Sequence, residues 1–202
     1  MAVPPVPPPT WVRFTRGEAA ANVPASKVDR YRVEDVRAVR GAPLDGLAKG
    51  DELYRTESTE VLPPGAGNLI GVVQQLVYMR SSERAELATT EVPGPNAICV
   101  LIAMNKSAAW WQLALDERDA MFRGSGRPGH VEVGRPYART ITRRLYHGRP
   151  LPGAGWDLLT YFEFLPERRD DFVKLLAGLR DPAKNPEWSY VERESEVWLA
   201  RF

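Results

Sequence analysis

The sequence of 202 residues has few of the side chains that form disulfides or bind metals directly. It contains a single cysteine, Cys99, which excludes an internal disulfide and a cysteine-rich metal site. Its two histidines, His130 and His147, are too few for a multi-histidine zinc site. A metal in this protein would therefore be expected to arrive as part of a cofactor.

An excess of one charge and long apolar segments are also lacking. Lys and Arg number 27 against 26 Asp and Glu, so composition gives no reason to expect nucleic acid or an anionic membrane as a partner. No run reaches the roughly 20 apolar residues that span a bilayer. The first ten residues hold five prolines and no basic residue, unlike a secretory signal. We expect a cytoplasmic protein with a Pro-rich N-terminal tail.

Composition and periodicity instead indicate a folded α+β protein. Hydrophobic residues make up 44% of the chain and charged residues 26%, as in ordinary globular domains. Alternating or continuous apolar patterns predict strands at 30–40, 69–79, 97–105, 137–147, 156–164 and 188–202. Helical spacing predicts helices at 83–90, from an N-cap at Ser107 to about residue 123, and at 167–180. From residue 97 the order β-α-β-β-α-β is that of a ferredoxin-like antiparallel sheet with helices on one face.

Arg143 stands out in the strand predicted at 137–147. Period-2 alternation places it on the same face as Ile141 and Leu145, whereas Arg144 lies on the opposite face. An unpaired buried charge costs several kcal/mol, so Arg143 needs either an internal carboxylate or an anionic ligand. Alternation alone leaves both explanations open.

A second group of polar residues surrounds the predicted helix that starts at Ser107. Lys106 ends an apolar strand, and Trp110 and Trp111 follow closely, although a packed helix core beside a solvent-directed lysine would have the same pattern. His130 follows a loop rich in glycine and could be a ligand, an acid/base or a surface residue.

The remaining candidates are weaker. Cys99 is expected to be a packed, inert thiol. His147 closes its strand and is expected to cap it. Glu192, Glu194 and Glu196 alternate onto one face of the last strand and are expected to be solvated. Glu187, directly before Trp188, is harder to assign to a solvated surface.

Taken together, these segments resemble the chlorite dismutase family of heme b proteins. The resemblance rests on KSAAWWQLALDERDAMF, His130, TRRLYHGR, WDLLTYFEF and PEWSYVERE, and it covers about residues 69–202. It is closest to the short, dimeric, cytoplasmic lineage, and it implies a homodimer with a dimeric α+β barrel fold. The implied organisation is a Pro-rich tail at 1–17, a truncated ferredoxin-like half at 18–96 and a heme-binding ferredoxin-like half at 97–202.

The resemblance also implies roles for individual residues. His130 matches the proximal ligand of heme iron, and Arg143, thirteen residues later, matches the distal arginine. Glu187 matches the carboxylate that accepts a hydrogen bond from the ligand histidine, which would make the imidazole a stronger donor. The implied cofactor-binding residues are His130, Lys106, Trp110, Trp111 and Glu187.

The implied activity is the conversion of chlorite to chloride and dioxygen, with O–O bond formation at a His-ligated ferric heme. Arg143 would hold the oxyanion substrate and the hypochlorite formed from it. Glu91 or Thr90 stands where the short lineage often carries a distal glutamine, and a carboxylate there would repel an anion. The alternatives are a peroxidase-like or coproheme-processing member of the family and a non-catalytic heme-binding or sensing protein. Within the family, Arg143 argues against the coproheme-processing alternative.

Overall fold

Eight antiparallel strands form a closed barrel in the order β1-β3-β2-β8-β5-β7-β6-β4. The computed structural model describes residues 10–17, 28–59, 69–73, 90–91, 93–149, 151 and 153–202. The strands are β1 (Thr10–Arg16), β2 (Val28–Arg40), β3 (Glu52–Ser58), β4 (Leu69–Val73), β5 (Ile98–Lys106), β6 (Ile141–His147), β7 (Leu158–Phe164) and β8 (Val191–Arg201). The predicted α+β class and its antiparallel sheet are confirmed.

The helices lie between the strands of the C-terminal part of the chain. They are α1 (Ala108–Gln112), α2 (Leu115–Arg123), α3 (His130–Gly134) and α4 (Arg169–Leu179), with 3-10 turns at Arg135–Tyr137, Pro166–Arg168 and Pro186–Tyr190. None of the helices within the described residues has both the length and the apolar character needed to cross a membrane.

The sheet separates two apolar cores. On β5, Cys99 and Leu101 point into the barrel and belong to the inner core, whereas Val100 and Ile102 point outward and belong to the outer core. Because both faces of β5 are covered, its sequence is a continuous apolar run rather than an alternating one. Cys99 is a buried free thiol, as predicted.

Helix α4 closes the outer core. Phe172, Leu175 and Leu176 face the sheet, in the i, i+3, i+4 spacing that predicted this helix. They pack with outward residues of β5, β6, β7 and β8, so one helix covers four strands. The acidic residues Asp170 and Asp171 lie in its first turn, where they complement the helix dipole.

The predicted tail at 1–17 is wrong for its last part, because residues 10–16 form strand β1. This strand pairs with both β3 and β4 and so closes the barrel. Val12 and Phe14 are fully buried in the inner core. Two apolar residues beside a proline-rich run are too short a signal for a strand, and the long-range pairing decides the outcome. The division into two halves stays a prediction.

The single helix predicted from Ser107 to residue 123 is two helices. Ser107 caps α1 as expected, since its hydroxyl accepts a hydrogen bond from the Trp110 N–H at 3.3 Å. Leu113 and Ala114 then adopt extended backbone, and the Glu117 carboxylate accepts the Ala114 N–H at 2.7 Å to start α2. The predicted helix at 83–90 lies almost entirely outside the described residues.

Two further predictions need correction. The strand predicted at 137–147 begins at Ile141, because the 3-10 turn Arg135–Tyr137, which contains Pro136, occupies its first part. Glu194 and Glu196 are each 3% exposed rather than solvated. Arg180, at the end of α4, reaches over β8 and pairs with both carboxylates. The Arg180 guanidinium compensates the charge of the two buried carboxylates, which makes their burial possible.

Candidate active site

Two glycines shape the loop that delivers His130 to the first position of α3. Gly124 ends α2 with φ +81°, a conformation that strongly favours glycine. Gly129 packs so tightly against the end of α2 that a Cβ atom there would lie 2.4 Å from the Phe122 carbonyl oxygen. The breaker-rich segment therefore folds back on α2, and the imidazole of His130 comes 5.3 Å, between ring centroids, from the Phe122 ring.

His130 is hydrogen bonded to Glu187. The Nδ1 atom of His130 lies 2.9 Å from Oε2 of Glu187, on the 3-10 turn Pro186–Tyr190. Burial alone would raise the pKa of the Glu187 carboxyl, but Lys106 and His130 outweigh it and hold that pKa well below its usual value. Glu187 is therefore ionised and can only accept a hydrogen bond.

Lys106 holds the other oxygen of the Glu187 carboxylate. It is the last residue of β5, its ammonium group is fully buried, and its Nζ atom pairs with Oε1 of Glu187. The same ammonium lies 4.0 Å from the centroid of the Trp110 ring, close enough for a cation–π interaction. Glu187 is thus fixed from both sides, by Lys106 and by His130.

This arrangement sets the chemistry of the imidazole. Because the Glu187 carboxylate needs a donor, Nδ1 of His130 carries the proton and Nε2 keeps its lone pair. Burial lowers the pKa of His130, and the charges of Arg143 and Lys106 add to this effect against the opposing pull of Glu187. The neutral imidazole has one nitrogen free of this hydrogen bond, which is the form that binds a metal.

Aromatic rings pack around the buried part of the site. Trp110 is 1% exposed and lies 5.8 Å from Phe122 and 5.6 Å from Tyr190, between ring centroids. The Ser107 N–H donates to the Tyr190 carbonyl at 2.8 Å and ties α1 to the segment that carries Glu187. Sequence reasoning missed Phe122 and Tyr190 as parts of this site, since Phe122 was indistinguishable from an ordinary helix-core residue.

Arg143 lies on the outer face of the sheet, as alternation predicts. Ile141, two residues before it, is buried in the outer core, whereas Arg144 lies on the inner face of the sheet, is 46% exposed and pairs with Glu57 at 3.1 Å. The structure corrects one expectation: Arg143 is exposed rather than enclosed by apolar side chains. Its charge nevertheless lowers the pKa values of both His130 and His147, so it shares their electrostatic environment.

Part of the outer face around Arg143 is left only partly covered. Met104 on β5, Leu145 on β6 and Thr160 on β7 are half-buried, although their outward neighbours Ile102 and Phe162 are buried under α4. Leu145 and Thr160 are paired in register on adjacent strands. This half-buried, mainly apolar floor beside a guanidinium can receive a ligand with an apolar body.

Glu91 does not act as an unpaired negative charge. Its carboxylate receives two hydrogen bonds from the Arg168 guanidinium, at 3.1 and 3.2 Å. The backbone N–H groups of Thr90 and Glu91 both donate to the Arg139 carbonyl, next to the start of β6. The repulsion of an anion expected from Glu91 is therefore reduced by its own arginine partner.

Trp111 lies in α1, and His147 is the last residue of β6. The indole N–H of Trp111 donates to Asp157 at 3.4 Å, and Arg149 lies 4.2 Å from the Trp111 ring centroid. The role of Trp111 in cofactor binding stays a prediction. His147 is buried at the end of β6, and burial together with Arg143 lowers its pKa.

Asp157 is a buried residue of this region that sequence reasoning missed. Its carboxylate accepts the backbone N–H of Lys106 at 2.8 Å, which fixes the end of β5 beside the start of α1. Among the described residues, no group of three or more His, Cys, Asp and Glu side chains is arranged to hold a metal ion.

Comparison with solved structures finds chlorite dismutases among the similar proteins. The dimeric chlorite dismutase of Nitrobacter winogradskyi is 31% identical, over 94% of this chain and 99% of that chain, with a TM-score of 0.73. Chlorite dismutase from Candidatus Nitrospira defluvii, in complex with imidazole, is 20% identical over 94% of this chain and 90% of that chain, with a TM-score of 0.66. No protein-family model and no curated protein matches the chain.

The first of these similarities extends over nearly the full length of both chains. This chain belongs to the chlorite dismutase family.

Proposed function

We propose that this protein binds heme b through His130 and converts chlorite to chloride and dioxygen. The observation that carries the proposal is the hydrogen-bonded series His130–Glu187–Lys106, which leaves one imidazole nitrogen for iron. Arg143, on the outer face of the sheet, supplies the positive charge that an oxyanion requires. The proposed cofactor-binding residues are His130, Lys106, Trp110, Trp111 and Glu187, and the proposed catalytic residue is Arg143.

The donor set fits a heme better than a free metal ion. A neutral imidazole whose Nδ1–H is held by a carboxylate is a strong axial ligand for heme iron. Heme needs only one protein ligand, because the porphyrin supplies four nitrogens. The half-buried floor of Met104, Leu145 and Thr160 supplies the mainly apolar surface that a porphyrin would cover.

The chain's own residues would bind and orient the reactants. Bound heme supplies the redox chemistry that breaks the Cl–O bonds and joins the two oxygen atoms. The overall reaction, ClO₂⁻ to Cl⁻ and O₂, balances without an external reductant. Arg143 would attract chlorite, orient it by charge-assisted hydrogen bonds, and retain the hypochlorite anion until the second oxygen is transferred. Glu187 would keep the imidazole neutral and correctly rotated.

We further propose that the C-terminal half is a ferredoxin-like unit and that the protein is a homodimer. The C-terminal strands follow the order β8-β5-β7-β6, with helices between β5 and β6 and between β7 and β8, which supports a ferredoxin-like unit. The similar enzyme from Nitrobacter winogradskyi is described as dimeric. We infer a homodimer for this chain, and sedimentation of the purified protein tests it.

Dioxygen release from chlorite is the direct test of the activity. The full-length chain is loaded with heme, the loading is checked by the Soret band, and chlorite is added in an oxygen-electrode cell. We expect dioxygen in a one-to-one ratio to chlorite consumed. Bleaching of the heme with little dioxygen would contradict the proposed reaction and direct the search to peroxides or porphyrin precursors.

Heme ligation is tested separately with the two histidines of the chain. His130→Ala should lose the five-coordinate ferric spectrum and bind heme weakly. His147→Gln is the matched control, because His147 is the other histidine, and it should keep the wild-type spectrum. Normal heme affinity and spectrum in His130→Ala would refute the ligand assignment.

A further inference from the structure

We propose that Asn185 and Gly178 are positioning residues that set the His130–Glu187 hydrogen bond from a shared support, the C-terminal end of α4. The consequence for iron ligation rests on the proposed function, whereas the hydrogen bond itself does not. The two partners of this bond come from separate segments, α3 and the 3-10 turn Pro186–Tyr190. Each segment contacts α4 within two consecutive residues, Gly178 and Leu179.

Asn185 fastens the segment that carries Glu187. The side chain is 3% exposed, and its Nδ2–H donates to the Leu179 carbonyl at 2.8 Å. Its backbone N–H donates to the Asp181 carbonyl at 2.7 Å, and its own carbonyl accepts the Trp188 N–H at 3.1 Å. Asn185 therefore joins the C-terminal end of α4 to the turn that presents Glu187.

The other end of the Asn185 amide supports a positioning role. Its Oδ1 atom is buried and has no hydrogen-bond partner among the described residues. A buried, unsatisfied acceptor costs stability, so an apolar residue would be favoured at this position if only packing mattered. The hydrogen bond that the Asn185 side chain does make is the one to the Leu179 carbonyl. This bond holds the chain two residues before Glu187.

Gly178 sets the position of α3. A Cβ atom at Gly178 would lie 2.8 Å from Cγ1 of Val133, closer than two carbons can approach. Val133 is on α3, three residues after His130, and its branched side chain packs against the outer core. The absence of a side chain at Gly178 thus lets α3 rest directly on α4 at the level of Leu179.

The two contacts act beside the Lys106 ion pair and the Ser107–Tyr190 hydrogen bond in setting the distance between His130 and Glu187. The position of His130 relative to α4 is set by the contact of Val133 with Gly178. The position of Glu187 relative to α4 is set by the hydrogen bond from Asn185 to Leu179. Loss of either contact lets one partner shift relative to the other. Because hydrogen bonds weaken steeply with misalignment, a small shift is enough to release Nδ1–H of His130.

The first measurement follows the hydrogen bond without heme. The full-length chain is labelled with ¹⁵N-histidine, and the His130 signal is identified by its retention in His147→Gln. In the wild type we expect a downfield, slowly exchanging Nδ1–H proton. Asn185→Ala and Gly178→Ala should lose this signal, as Glu187→Gln should.

The second measurement uses the heme-loaded protein. Asn185→Ala should lower the Fe(II)–His stretching frequency toward that of Glu187→Gln and speed heme transfer to apomyoglobin about tenfold. Val197→Ala, in the inner core, is the control for general destabilisation. It should lower the melting temperature and leave both readouts unchanged.

The outcomes separate the inference from the proposed function. An unchanged Nδ1–H signal in Asn185→Ala and Gly178→Ala, or an equal change in Val197→Ala, would overturn the positioning role. If the wild type binds no heme but the Nδ1–H signal responds as expected, the proposed function fails and the positioning role stands.

Discussion

The barrel holds two polar clusters that use similar residues on opposite sides of the sheet. The inner polar cluster consists of Asp29, Tyr31, Arg55, Glu57, Tyr146, Tyr161, Glu163 and Arg201. The outer cluster consists of Lys106, His130 and Glu187, with Arg143 on the adjoining outer face. Both contain a buried cation paired with a carboxylate, yet they differ in where their remaining polar atoms point.

The charged groups of the inner polar cluster pair mainly with one another. Arg55, 4% exposed, pairs with Asp29 and Glu57 and donates to the Tyr146 hydroxyl. The Tyr161 hydroxyl donates to Glu163, which also pairs with Arg201. Arg144 also pairs with Glu57, so three arginines balance the three carboxylates. Such a cluster favours one strand register over others but offers little to a ligand.

The outer cluster is closed on one side only. Lys106 pairs with Glu187, and Glu187 also accepts a hydrogen bond from Nδ1 of His130. The Nε2 atom of His130 takes no part in this pairing, and Arg143 is exposed to solvent. The two clusters therefore differ in whether a polar group remains outside the internal pairing, as Nε2 of His130 and the Arg143 guanidinium do in the outer cluster.

Glu187→Ala should have the largest effect, because it combines both properties of the outer cluster. It leaves the fully buried ammonium of Lys106 without a carboxylate, which costs about 3–5 kcal/mol of stability. It also removes the acceptor for His130, so heme affinity should fall by about 10–100-fold. Urea unfolding and heme titration measure the two effects. A variant that loses stability but binds heme normally would make the outer cluster equivalent to the inner one.

Arg143→Ala should affect turnover and leave heme binding intact. Removal of one donor to a developing oxyanion typically costs about 100-fold in rate, and hypochlorite should escape and inactivate the enzyme sooner. Arg144→Ala is the matched control, since this neighbour lies on the opposite face of the sheet and pairs with Glu57. Dioxygen yield per enzyme before inactivation is measured for both. Equal yields in the two variants would assign Arg143 a structural role.

Arg55→Met should reduce stability without any effect on heme. The loss should be about 2 kcal/mol, less than for a fully buried pair, because the Asp29 and Glu57 side chains left behind are 37% and 32% exposed. The Soret band and the Fe(II)–His stretching frequency should equal those of the wild type. A shift of either spectrum would show that the inner and outer clusters are coupled through the sheet.

The sequence predicts those parts of this comparison that depend on local periodicity. The alternation of β6 separates Arg143 from Arg144, and the spacing of Phe172, Leu175 and Leu176 predicts α4. A resemblance to a known family adds the association of His130 with Glu187, which are 57 residues apart. That contact is present in the structure.

The parts that could not be predicted depend on pairing between distant segments. Strand β1 is stable because β3 and β4 flank it, which its own seven residues do not reveal. Glu194 and Glu196 alternate like solvated residues, and only the arrival of Arg180 from α4 explains their burial. The support of Glu187 by Asn185 likewise depends on a turn geometry that sequence spacing does not encode.

Tyr31→Phe should have the smallest effect, and its dependence on pH distinguishes the closed inner cluster. Tyr31 is fully buried and its hydroxyl lies 2.7 Å from that of Tyr161, so loss of this hydrogen bond should cost about 1 kcal/mol at pH 8. Burial raises the pKa of Tyr31 to about 12, whereas the unfolded chain titrates near pH 10. Above pH 10 the unfolded state loses this proton first, so the wild type loses stability, by about 1 kcal/mol at pH 11. The phenylalanine variant lacks that loss. The stability difference between the two proteins, measured by urea unfolding, should therefore nearly vanish at pH 11, and an undiminished difference would mean that the Tyr31 hydroxyl is not enclosed.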